Sequence, residues 1–162
     1  DVYKRQIKSD ALDKEICRRF LNIHQAAIAG ELSHWRKTVQ GRLAEIIVLD
    51  QFSRNLYRED ARAFLYDGMA LVLAQEALPY SEKLMVIQRS FLYMPFMHSE
   101  SLAIHEEAEK LFSEPGMEKR AKYEQMHRKI IEQFGRYPHR NEILGRKSTE
   151  KELEFLRNHS GF

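Results

Sequence analysis

The groups in this chain best equipped for chemistry crowd into one stretch, Phe134-Gly135-Arg136-Tyr137-Pro138-His139-Arg140-Asn141-Glu142-Ile143-Leu144-Gly145-Arg146. Guanidinium forks match carboxylate and phosphate oxygens two at a time, so Arg136, Arg140 and Arg146 together specify acidic partners. His139 and Asn141 beside them could orient a bound group. Gly135 and Gly145 punctuate the ends of the stretch, and Pro138 pushes Tyr137 out of helical geometry, so the backbone turns here.

Two other stretches add polar groups. In the first, Asp50 precedes Arg54 by one helical turn, an order that favours a local ion pair. Asp50 is then either one half of a packing lock or a desolvated carboxylate able to act as a general base, and His139 is the other candidate base. In the second, Arg89 and Tyr93 lead to His98 and Glu100. With His105 two turns beyond His98, these raise the question of a metal. The His-x-Glu spacing places the two side chains on different helix faces, and none of His98, Glu100 and His105 belongs to an H-x-x-x-H or E-x-x-H pair that would supply a same-face chelate, so no metal site is assigned.

Across the three stretches Arg54, Arg58, Arg89, Arg136, Arg140 and Arg146 admit two readings. They could converge on an unfilled anion pocket, or clamp internal acids such as Asp50, Glu100 and Glu142. Arginines outnumber the acids near them in these stretches, which leans toward the pocket. Glycine-rich phosphate loops, G-x-S-x-G elbows and H-E-x-x-H motifs are absent from the sequence. No cofactor is specified.

The elements that must position these groups read as helices throughout. Ser9 and Asp10 start the first, in which Leu12, Ile16, Phe20, Ile23 and Ala27 recur at spacings of four and three up to Gly30. A connection containing Trp35 leads to a second helix over 40–57, apolar on more than one side and therefore central. Asp60 is expected to cap a third, with Phe64, Gly68, Leu71, Val72, Gln75 and Leu78 on one face and Pro79 at its end. Ser81 opens a fourth through Tyr93. A fifth runs over 95–112, and a sixth to Phe134 carries Tyr123, His127, Ile130, Ile131 and Phe134 on one face. Thr149 and Glu152 form a capping box for the last. The pattern predicts an all-α domain of antiparallel helical hairpins, about seven to eight helices over 9–162, after a tail at 1–8.

Composition limits the partners. Twenty-six Lys and Arg face 24 Asp and Glu, for a net charge of +2, which argues against general binding to nucleic acid or membrane surfaces. No apolar run approaches the roughly 20 residues of a membrane helix. The single cysteine, Cys17, is read as a small buried hydrophobe in a protein of the reducing cytoplasm.

Leu49-Asp50-Gln51-Phe52-Ser53-Arg54-Asn55-Leu56-Tyr57-Arg58, then Arg89-Ser90-Phe91-Leu92-Tyr93-Met94-Pro95-Phe96-Met97-His98-Ser99-Glu100, then the stretch from Phe134 to Arg146 resemble in order the signatures of a bacterial family. It is numbered nine-two-four among the domains of unknown function. The resemblance covers 12–156 and implies an all-α fold similar to tetratricopeptide-repeat proteins. It also implies an aromatic Phe-Trp-Phe-like segment before the first helix; this chain has none there, so a truncated N-terminus is expected.

The resulting expectation is a cytoplasmic protein that binds a small anionic molecule or a peptide carboxylate. Its pocket would be built from Arg54, Arg58, Arg89, Tyr93, His98, Glu100, Arg136, Arg140, Asn141 and Arg146. The alternatives are a hydrolase or transferase using Asp50 or His139, and a scaffold whose polar motifs are structural.

Overall fold

The computed structural model describes residues 10–158, and among these every regular element is helical. The expected tail at 1–8 and the Ser9 start lie outside the described residues. The chain divides into two compact units, one reaching to Lys83 and the other starting at Leu84.

The first unit opens with α1 (Asp10–Ile28), whose first-turn acids Asp10 and Asp13 complement the helix dipole. Its Ile16 and Ala27 enter a core with Leu32, Val48, Leu49, Phe52 and Ala70, and Trp35 packs against that core's edge. Cys17 is exposed on α1, so its expected burial does not hold. It sits next in sequence to Ile16, which takes the inward position.

The second predicted helix is present but not uniform. α2 (Val39–Ile47) passes into a π-helical turn, Val48–Phe52, and then into α3 (Ser53–Leu56). Two carbonyls of the wide turn take side-chain donors: Ser53 Oγ donates to Leu49 O at 2.6 Å and Arg54 Nη1 to Asp50 O at 2.8 Å. Such turns recur at functional or strained places, and here the turn carries Asp50.

Asp60 does cap, accepting from the Arg62 amide at 2.9 Å, but it starts a short 3₁₀ turn, Ala61–Ala63. The helix proper is α4 (Asp67–Ala77), and its buried face is Ala70, Ala74 and Ala77. The expected apolar face is rotated away, since Val72 is 57% exposed. Methyl-sized side chains let α4 lie close against α2, so size and not hydrophobicity selects the inward face. Ser81 starts no helix; it belongs to a 3₁₀ turn, Leu78–Lys83, that closes this unit.

In the second unit α5 (Val86–Leu92) is followed by α6 (Met94–Met97), with Pro95 in its first turn, and α7 (Leu102–Phe112). The single helix expected over 95–112 is therefore broken at His98–Ser101. The break is held by side chains: His105 bonds the Ser99 carbonyl at 2.9 Å, and Glu100 accepts from the Tyr137 amide at 2.7 Å. α8 (Glu118–Phe134) packs against α7 and ends at Gly135, which takes the left-handed conformation at φ 68°. Its inward face includes Arg120 and Glu124, while Tyr123, expected inward, is 41% exposed. The α8 face turns to deliver Glu124 to His105. After a 3₁₀ turn, Pro138–Arg140, comes α9 (Glu150–Asn158), which begins with the anticipated capping box: Thr149 N–H to Glu152 Oε2 at 2.7 Å, Glu152 N–H to Thr149 Oγ1 at 3.2 Å.

Gly41 fixes the start of α2. A Cβ there would lie 1.9 Å from the Trp35 carbonyl oxygen, so backbone meets backbone with no room for a side chain. Gly41→Ala is expected to lower stability by about 1–3 kcal/mol, as overpacking does. Urea unfolding measures this, and an unchanged midpoint would show that the corner relaxes freely.

Candidate functional site

The arginine-rich turn is organised around Tyr137, which is fully buried. Its hydroxyl donates to the Met97 carbonyl at 2.6 Å and lies 3.1 Å from His105 Nε2. His127 and His139 pack their rings at 5.7 and 5.6 Å from it, and the Arg140 guanidinium lies 4.7 Å from its ring centroid. Pro138 sets the extended backbone of Tyr137 that directs its amide to Glu100.

Glu100 is the junction of the predicted residues in this unit. Arg146 grips it with two bonds, Nη1 to Oε2 at 2.7 Å and Nη2 to Oε1 at 2.9 Å, and also reaches the Tyr137 carbonyl at 3.1 Å. Burial pushes the Glu100 carboxyl up, but the Arg146 and Tyr137 bonds and the charges of Arg140 and Arg146 outweigh it and hold the group below its ordinary range. Arg146 Nε donates to Asn141 Oδ1 at 2.9 Å, and Asn141 Nδ2 donates to Ser148 Oγ at 3.0 Å. Arg140 donates to the His98 carbonyl at 2.9 Å.

The remaining predicted arginines each find a carboxylate outside the three motifs, and Arg54 also keeps Asp50 within its own. Arg136 grips Glu152 at 2.6 and 2.8 Å, and with the Thr149 amide this pulls the Glu152 carboxyl down to about 2. Arg89 donates to Glu114 at 2.8 Å and to the Leu84 carbonyl at 2.7 Å, while the Tyr93 hydroxyl takes the other Glu114 oxygen at 2.7 Å. In the first unit Arg54 lies 3.2 Å from Asp50, a 1% exposed carboxylate that also accepts from Gln51, and spans both oxygens of Asp67 at 2.9 Å. Arg58 grips Asp13 at 2.6 and 2.8 Å, with Asn55 a third donor at 2.9 Å; burial raises the Asp13 carboxyl but these bonds bring it below its usual value.

One polar cluster escapes sequence reasoning. His105, considered there only as a metal ligand, is fully buried with Nδ1 2.6 Å from Glu124. Glu124 is 1% exposed; burial pushes its carboxyl up against the pull of His105. Its signal was the Glu124-x-x-His127 spacing on α8, which placed two titratable groups on the inward face. Among the described residues no group of three or more His, Cys, Asp or Glu side chains is arranged to hold a metal ion. No described helix is long and apolar enough to cross a membrane.

Over residues 3–160 the chain matches the family described as bacterial protein of unknown function, DUF924. The chain belongs to that family. A solved structure of a protein of unknown function from Agrobacterium tumefaciens is similar, at 35% identity and a TM-score of 0.92, covering 96% of this chain and 89% of that one. A search of curated proteins finds no match. All three motifs of this DUF924 chain lie inside the matched span.

The buried histidines give this DUF924 protein a defined acid response. His127 donates Nδ1–H to the Tyr123 carbonyl at 2.7 Å, and burial lowers it from 6.5 to about 3. The folded state thus resists a proton that the unfolded chain accepts, so stability is lost as pH falls below about 6.5, by up to about 1.4 kcal/mol per pH unit from this group. His24, also lowered by burial, acts in the same sense, and Glu124, raised, in the opposite one. Between pH 6.5 and 4.5 the Glu100 and Asp13 pairs stay ionised, so chemical denaturation across that window is expected to show a fall in stability that His127→Gln makes shallower. Equal slopes in the two proteins would refute this assignment.

Proposed function

We propose that this DUF924 protein is a helical scaffold whose three polar motifs fasten turns and helices from inside each unit. The observation that carries this reading is the two-pronged closure of Arg146 on Glu100 at 2.7 and 2.9 Å, on a carboxylate that also receives the Tyr137 amide. A guanidinium fork filled by a carboxylate of its own unit leaves a ligand little of its donor plane. Arg136 on Glu152, Arg58 on Asp13 and Arg54 on Asp67 repeat the arrangement.

The pairing favours clamps over an anion pocket made from Arg54, Arg136 and Arg140 with His139 and Asn141, because those contacts would have to open first. General-base catalysis by Asp50 asks a 1% exposed carboxylate to leave Arg54 and Gln51. The cytoplasm is the compartment this reading assigns, since a single exposed cysteine suits a reducing environment.

A double-mutant cycle on Arg146→Ala and Glu100→Ala tests the clamp. Each single change is expected to cost about 2–3 kcal/mol, the loss of charge-assisted bonds from a half-buried site. The double variant should lose less than the sum, with coupling of about 1–3 kcal/mol. Additive losses, or an Arg146→Ala protein as stable as its parent, would sink the scaffold reading for this motif.

A further inference from the structure

The first unit carries a cavity of about 370 Å³ that none of the three motifs lines. Its wall includes Arg36, Lys37, Thr38, Arg42, Tyr80 and Lys83, and no carboxylate is among the residues that line it. They come from the 3₁₀ turn Ser33–Lys37, the first turn of α2 and the 3₁₀ turn Leu78–Lys83.

The cations here are not equivalent. Arg36 is already closed by Glu45, a 1% exposed carboxylate, with two bonds of 2.7 Å. Lys37, Arg42 and Lys83 are different: among the described residues no carboxylate pairs with them, and Arg42 instead lies 4.8 Å from the Tyr80 ring centroid. Elsewhere the chain closes Arg54, Arg58, Arg89, Arg136 and Arg146 on acids. Like charges gathered at a concavity repel, and a multiply charged anion relieves that repulsion.

We infer that this cavity binds a small phosphate-bearing molecule. Lys37 and Lys83 supply compact ammonium charges for phosphate oxygens, and Arg42 supplies a guanidinium held in place by Tyr80. The opening turn of α2 adds the Val39 and Gln40 N–H groups, the Gly41 N–H being taken by Thr38 Oγ1 at 3.0 Å, and such groups favour anions at a helix start. Gly41 against the Trp35 carbonyl sets the angle between the two elements that form the wall, so the shape exists before any ligand arrives. Ligand cavities run from roughly 300 to 1,000 Å³. This one sits at the small end, which suits a phosphate on a small carrier and excludes a dinucleotide or a folded partner.

The test is an amide chemical-shift titration of the full chain with inorganic phosphate and pyrophosphate, at ionic strength held constant with chloride. Saturable shifts are expected at Gln40 and Gly41, with an apparent Kd raised about tenfold or more in the Lys37→Gln/Lys83→Gln variant, whose altered side chains are exposed in the parent. Lys83→Glu alone should abolish saturation, and Lys129→Gln on α8 should change nothing. The inference is overturned by any of four results: shifts that never saturate, an effect that chloride reproduces, equal affinity in the lysine variants, or a small carboxylate bound in preference to phosphate.

Discussion

The second unit depends on the cost of leaving the Glu100 carboxylate buried without counter-charge. Half-removed from water, that group needs donors, and it draws both from one stretch far along the chain: the Arg146 fork and the Tyr137 amide. Satisfying it settles several other positions at once. The chain must break between α6 and α7 to present Glu100, Pro138 must set Tyr137 extended, and Arg146 must come back across the turn. Tyr137, held by these contacts, in turn places its hydroxyl on Met97 and its ring among His105, His127 and His139.

The first unit solves the same problem with Asp13 and Asp67, which receive Arg58 and Arg54. Together the two units show a shared pattern: Arg54, Arg58, Arg89, Arg136 and Arg146 each close on an acid outside their own motif stretch, while Arg140 reaches the His98 carbonyl. That pattern is also why the lysines and Arg42 around the α2 corner differ from the rest, since there the compensating acid stops at Arg36.

Helix content and most helix limits were readable from periodicity and caps, because α1, α8 and the Thr149 box obey local rules. What periodicity could not show was where geometry departs from an even helix. The π turn at Asp50 and the break at His98–Ser101 both exist because side chains take over backbone partners, as Ser53 and His105 do, and a hydrophobic pattern carries no trace of that exchange. The rotated face of α4 has a different cause: alanines admit close approach, so the larger Val72 stays outside. For the polar motifs, sequence identified the arginines and two of their acids, Asp50 and Glu100, but not the others. Asp13, Asp67, Glu114 and Glu152 lie outside the three stretches, and Glu152 was visible only as a helix cap. One residue serving both as cap and as counter-ion is a long-range fact. Spacing along the chain does not encode it.

Trp35 has a consequence for observing the molecule. It is the single tryptophan, and it packs at the edge of the first unit's core. Intrinsic indole fluorescence is therefore a private signal of that unit, while far-ultraviolet dichroism sums the helices of both. Overlaying the two in one denaturation experiment separates the melting of the first unit from that of the whole, with no label attached. Cys17, the single thiol and exposed on α1 of the same unit, offers a second optical address there.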